Sequence, residues 1–192
     1  MGIDDDPTAL FDSQEAWRDW LDKQHSESSG VWVRIAKKGS RHPTVSYAEA
    51  LDVAICYGWI DGLKRPLDDE FWLQRFTPRR GKSKWSQVNV TKATALIASG
   101  LMQPAGRRQV ELAKADGRWE AAYPSHSTAT VPDDLAAALD AEPEARAFFE
   151  NLNSTNRYAI LYRVQDAKRP ETRASRIAKF VAMCAAGERL HP

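Results

Sequence analysis

The residues of this chain best suited to chemistry lie between Tyr57 and Asn89. Asp61 stands between the pair Trp59-Ile60 and Gly62, with Tyr57 close by. A carboxylate in apolar company must be paired or protonated, because an uncompensated buried charge is unstable. Asp61 is then either a turn residue bonding its own backbone or the partner of Arg75 or Arg79 on the floor of a cleft. Carboxylate and guanidinium match in bidentate geometry, and the pair would aim the arginine at an anionic ligand. The run Arg79-Arg80-x-Lys82-x-Lys84-Trp85-Ser86 adds more cations. It suits closure over a small anionic or aromatic molecule. Interleaved with Trp72 and Phe76, it also suits single-stranded nucleic acid, held by phosphate contact and base stacking. The plain alternative is a solvated basic loop whose tryptophans are core, as large aromatics mostly are. The candidate ligand residues are Trp59, Asp61, Arg75, Thr77, Arg79, Lys84, Trp85, Ser86 and Asn89. A third reading makes Asp61 an acid or base, with arginines stabilising charge.

Other chemistries find no pattern. His25, His42, His126 and His191 fall in predicted loops or near the terminus, outside any nucleophile–base motif. No His or Cys spacing suits a metal, and Gly58 and Gly62 do not form a phosphate-cradling loop. No cofactor and no catalytic residue are assigned. Cys56 and Cys184 sit in apolar helical patterns, as two reduced core thiols of an intracellular protein would.

The elements that must position the candidates follow from periodicity. Asp12 or Ser13 caps a helix with Ala16, Trp17, Trp20 and Leu21 on one face. Val31 to Ala36 alternates as a strand, and Lys37 to Pro43 is a basic loop. Ser46 and Glu49 form a capping box. The helix they open carries Tyr47, Leu51, Ala54 and Ile55 on one face and stops at Gly58. Asp61-Gly62 suits a tight turn between Trp59-Ile60 and Leu63-Lys64. Phe71 to Thr77 is a strand of ~23 Å, with Arg75 and Thr77 on one side, ended by Pro78. A helix starting near Asn89, capped by Ser86 or Asn89, would aim its free N–H groups at the same space. The layout predicts one cavity reached by Asp61, Arg79 and that helix start, with Trp59 and Trp85 as its apolar wall. Val90, Ala93, Ile97 and Leu101 continue the helix, and Pro104 starts another that reaches about Gly117.

The whole chain has 192 residues and a net charge of +1, unevenly spread. Residues 1–27 hold eight acids and two bases, whereas residues 71–110 hold eight bases and no acid. Either the acidic arm, read as a loose segment over residues 1–10, neutralises the basic face, or that face attracts an anion. All seven tryptophans precede the Ser/Thr/Pro-rich stretch 123–131. The expected organisation is an α+β unit over 1–122, a linker over 123–131 and a helical unit over 132–192. The fold class is α+β, a small antiparallel sheet with packed helices followed by C-terminal helices. Those helices start at Pro132, Pro143, Ser154 and Pro170. The last places Ala174, Ile177, Ala178, Val181 and Ala185 inward. The N-terminus lacks a signal-peptide pattern, and no apolar run spans a bilayer. The expectation is a cytoplasmic protein without a membrane partner.

The motifs Tyr57-Gly58-Trp59-Ile60-Asp61-Gly62, Phe76-Thr77-Pro78-Arg79 and Ser83-x-Trp85-Ser86-x-x-Asn89 resemble the bacterial YdeI/OmpD-associated, or bacteriocin-protection, proteins. Ala167-Lys168-x-x-Glu171-Thr172-Arg173-x-x-Arg176-Ile177 resembles the C-terminal helical segment of the same family, and the likeness spans roughly residues 11–187. It implies a role in protection against bacteriocins or antimicrobial stress, and no reaction.

Overall fold

Ser13 ends the N-terminal arm and starts the first helix, α1 (Gln14–Gln24), its hydroxyl accepting from the Ala16 N–H at 3.2 Å. The computed structural model describes residues 5–192, so the first residues of the arm lie outside it. The chain divides into two compact units, one running up to Ala122 and the other covering Tyr123–Pro192.

In the first unit the arm is more than a loose segment. It contributes β1 (Thr8–Leu10), which pairs in parallel with β2 (Val31–Ala36). The helix α2 (Tyr47–Cys56) starts on the expected capping box of Ser46 and Glu49. It ends at Gly58, whose φ of 74° is the left-handed conformation that favours glycine. Then come β3 (Trp59–Pro66), β4 (Phe71–Pro78), α3 (Gln87–Ala98) and α4 (Pro104–Ala115). The sheet order is β1-β2-β4-β3, antiparallel except for the β1 edge.

One turn differs from expectation. Asp61 and Gly62 do not reverse the chain, and neither takes a positive φ. They lie inside β3, where a bulge between Asp61 and Lys64 is held by the Gln74 amide donating to the carbonyls of Gly62 and Leu63 at 3.1 and 3.2 Å. The reversal comes at residues 67–70, because the Asp68 side chain accepts from the N–H groups of both Glu70 and Phe71.

The two faces of the sheet have different contents. Val31, Val33, Ile35, Phe76 and Trp59 join Trp17, Leu21 and the buried side of α2 in one apolar core. On the other face, Arg65 lies over Trp32 at 4.6 Å and Arg34 over Phe71 at 4.4 Å. There Asp6, only 7% exposed, accepts from Arg75 Nε at 2.7 Å, from Arg75 Nη2 and from the Ser29 hydroxyl. Gly30 makes room for it, since a Cβ there would stand 2.5 Å from an Asp6 carboxylate oxygen. One arm carboxylate thus neutralises one arginine of the basic stretch.

The regular elements of the second unit are four helices: α5 (Asp133–Asp140), α6 (Pro143–Glu150), α7 (Ser154–Gln165) and α8 (Pro170–Ala185). Ala129 and Val131 pack against its core, and the Tyr158 hydroxyl donates to the Pro124 carbonyl at 2.9 Å. Asn153, not Ser154, caps α7. The inward face of α8 is Ile177, Phe180, Val181 and Cys184. Ala174, Ala178 and Ala185 are exposed instead, since burying Phe180 and Cys184 removes more apolar surface than burying alanines. Both cysteines are free and buried.

Candidate functional site

Placing the hairpin turn at 67–70 sets the register that builds the site. Pro66 pairs with Trp72, and Lys64 with Gln74, at the sheet end where Ala36 pairs with Phe71. Lys37 and Lys38 follow Ala36 directly. Their loop is tied down by the Lys37 N–H donating to the Glu70 carbonyl at 2.8 Å and the Ala36 N–H donating to the Thr44 hydroxyl at 3.0 Å. Lys37, Lys38, Lys64, Pro66 and Trp72 line a depression of about 540 Å³, within the range of small-molecule sites. The Lys64 ammonium stands 4.2 Å from the centre of the Trp72 ring. The Tyr47 ring, at the start of α2, lies 6.0 Å from the Trp72 ring, tilted against it.

Among the described residues, none of these three lysines forms an ion pair. Acids flank the depression on two sides: the turn Asp68-Asp69-Glu70 beside Lys37, and Asp61, which accepts from the hydroxyl of the Tyr47 that meets Trp72. Hydrogen bonds from the backbone of Phe71 and then Glu70 hold the Asp68 carboxyl below the usual range, helped by Arg34 and Lys37 nearby. The depression is therefore a cationic patch with an aromatic wall, bordered by a short acidic turn.

The expected site residues are distributed over several places. Trp59 is core: its Nε1 donates to the His25 carbonyl at 3.1 Å, and its ring meets Trp17 and Trp20 edge-on. Asp61 pairs with neither Arg75 nor Arg79. It accepts from the Tyr47 hydroxyl at 2.8 Å. Arg75 is held by Asp6. Strand alternation puts Arg75 and Thr77 on the face opposite Trp59 and Asp61, so these four residues do not share one cleft.

Arg79, Lys84, Trp85, Ser86 and Asn89 do come together. The Arg79 guanidinium, buried with its residue 5% exposed, lies 3.6 Å from the centre of the Trp85 ring and donates to the Lys84 carbonyl at 3.1 Å. Trp85 packs edge-on against Trp119. Ser86 caps α3 by accepting from the Asn89 N–H at 3.1 Å, and Asn89 is buried. A desolvated cation–π pair of this kind contributes about 2 kcal/mol. It fastens the basic loop to the core.

The residues that sequence reasoning missed are Lys37, Lys38, Tyr47, Lys64 and Pro66, while Trp72 was named only as a stacking residue for single-stranded nucleic acid. Their only signal was a Lys-Lys pair just after a strand. The rest depended on the register.

In the second unit the charged motif is clamped. Arg173 donates from Nε and Nη2 to the two carboxylate oxygens of Asp134, at 2.5 and 2.8 Å, and from Nη1 to the Val164 carbonyl at 3.0 Å. Arg176 donates to the Arg163 carbonyl. Both carbonyls lie in the last turn of α7, where orphan acceptors and the negative end of the helix dipole favour cations. The hydrogen bonds from Arg173 hold the Asp134 carboxyl below its ordinary value. A groove of about 830 Å³ beside the clamp is lined by Ala138, Ala174, Ile177, Ala178, Val181 and Ala182, among others.

Residues 9–109, more than half of the chain, match the family described as "Domain of unknown function (DUF8412)". The chain belongs to that family. Residues 128–187 match the family described as "Bacteriocin-protection, YdeI or OmpD-Associated". No curated protein and no solved structure matches the chain. The lysine depression and the Arg79–Trp85 cluster of this DUF8412 member lie within the first match, and the arginine clamp within the second. The motifs between Tyr57 and Asn89 therefore fall in the DUF8412 segment, and the Ala167 to Ile177 motif in the bacteriocin-protection segment.

Proposed function

We propose that the first unit binds a small anionic molecule bearing a planar apolar group, in the depression lined by Lys37, Lys38, Lys64, Pro66 and Trp72. The observation that carries this reading is the Lys64 ammonium over the Trp72 ring, 4.2 Å from its centre, beside two further lysines. Such a contact at an exposed position contributes about 0.5–1 kcal/mol, whereas stacking a planar ligand on an aromatic side chain contributes about 1–3 kcal/mol. A ligand that offers an anion to the lysines and a ring to Trp72 therefore outcompetes the resting arrangement.

Single-stranded nucleic acid bound along residues 71–110 has less support. Arg75 and Lys92 are engaged by Asp6 and Asp52, and Arg79 is buried. The Asp68-Asp69-Glu70 turn would also repel a long polyanion. An acid–base role for Asp61 lacks the arginine partner it requires. The bacteriocin-protection match over residues 128–187 supports a role for this binding in protection against bacteriocins or related stress. The two free buried thiols favour a cytoplasmic setting.

Calorimetric titration of the full chain with indole-3-acetate tests the reading. The variant carrying Lys37→Glu, Lys38→Glu and Lys64→Glu is expected to bind at least ten-fold more weakly, with an unchanged circular dichroism spectrum at the temperature of the titration. Equal affinity in the two proteins would remove the site.

A further inference from the structure

We infer that the ligand of the lysine depression is a phosphate chain carried on a planar ring, the class of a nucleoside polyphosphate, and that Lys64 changes partner when it binds. This rests on the reading that the depression is a binding site, and adds which anion it takes and how.

The cations decide the anion. All three that line the depression are lysines, and none is an arginine. A planar carboxylate is matched by the fork of a guanidinium, while an ammonium acts as a point charge with three donors that suits the oxygens of a phosphate. One carboxylate would also leave most of the positive charge uncompensated. A terminal phosphoryl group carries about −1.5 to −2 near neutral pH, and with the further charge of the phosphoryl next to it in a chain it matches three ammonium groups that form no ion pair among the described residues.

The aromatic wall decides the rest. Trp72 packs partly against the first core and carries Lys64 over its ring. The outward part of that ring is therefore occupied by a cation that a phosphate would attract away. When Lys64 turns to the phosphate, the ring surface it leaves is open to a planar group attached to the same chain, beside Pro66, the cross-strand partner of Trp72. Charge and ring binding are thereby coupled: the phosphate removes the lysine that blocks the stacking surface. Pyrophosphate gains only the first half of this exchange, and a bare nucleoside must displace Lys64 with nothing to receive it.

The experiment is calorimetric titration of the full chain with ADP, inorganic pyrophosphate, adenosine and indole-3-acetate at fixed salt. ADP is expected to bind at least ten-fold more tightly than any of the other three. Trp72→Leu should abolish the advantage of ADP over pyrophosphate while leaving pyrophosphate binding as tight as before or tighter, since Lys64 is no longer held over a ring. Lys64→Met should weaken ADP and pyrophosphate alike. If indole-3-acetate binds as tightly as ADP, the polyphosphate inference falls and the site itself stands. If Trp72→Leu weakens pyrophosphate as much as ADP, the exchange of Lys64 is wrong. Absence of binding by all four probes overturns both the inference and the site.

Discussion

Arg173 in the second unit and Lys64 in the first are both long cations near the end of a secondary-structure element, in opposite situations. Arg173 spends its donors on two carboxylate oxygens and a terminal helix carbonyl. Lys64 has an aromatic ring beneath it and, among the described residues, no carboxylate in an ion pair with it. Arg79, stacked on Trp85, and Arg75, held by Asp6, fall on the side of Arg173. The difference separates cations that hold the fold from cations left to meet a ligand. A dense basic motif is a poor guide to which is which, because within one run Arg79 is buried on Trp85 while Arg80 and Lys82 are exposed.

The comparison breaks most visibly where a charge is buried. Asp6→Ala leaves the Arg75 guanidinium, 16% exposed as a side chain, without its carboxylate, and is expected to cost about 3 kcal/mol or more in the first unit. Denaturant melts followed by tryptophan fluorescence read this unit, which holds all seven tryptophans. A cost under about 1 kcal/mol would move Arg75 to the solvent-facing class.

A smaller effect is expected at the clamp, because the Asp134 side chain is 46% exposed and Arg173 27% exposed. Arg173→Gln should cost about 1–2 kcal/mol after that screening, read by helical circular dichroism. The pH dependence sharpens the point. Asp134 has its folded pKa below the ordinary 3.8, so the stability it contributes is present above that value and lost as pH falls through the depressed one. The wild-type protein should lose stability in this acid window, and Arg173→Gln should lose correspondingly less there. Equal acid sensitivity in both would deny the clamp its electrostatic part.

The smallest effect belongs to Asp61→Asn. The amide oxygen still accepts from the Tyr47 hydroxyl, so the expected cost is about 1 kcal/mol or less. A melt showing about 3 kcal/mol or more would mean that Asp61 neutralises a buried cation, as its sequence setting suggested.

Most of the elements could be read in the chain. Ser13, the Ser46–Glu49 box, Gly58, Pro104, Pro143 and Pro170 each mark a boundary through a local rule, a cap, a positive φ or a fixed first turn, and the helices begin or end there. The alternation of Val31 to Ala36 likewise needs only its own residues. β1 escaped because a three-residue strand, Thr8–Leu10, is too short to show a period. The face of α8 was misjudged because alanines satisfy the helical spacing as well as Phe180 and Cys184 do, while burial follows apolar area.

The candidate site was less legible, and one turn explains why. Asp-Gly is a strong local turn signal, but Gln74, twelve residues beyond Gly62, bonds the Gly62 carbonyl and holds the stretch as a bulge within a strand. With the reversal moved to Asp68, Lys64 comes to Trp72 and Arg75 to Asp6. Sequence alone determined the α+β composition, the caps, the tryptophan-rich core and the separate C-terminal helices, since these depend on neighbours within a turn or two. Only the tertiary structure decided which cations are clamped and which line a depression. That choice depends on strand register and on partners as distant as Asp6 and Arg75, and a one-residue change of register moves every side chain to the other face.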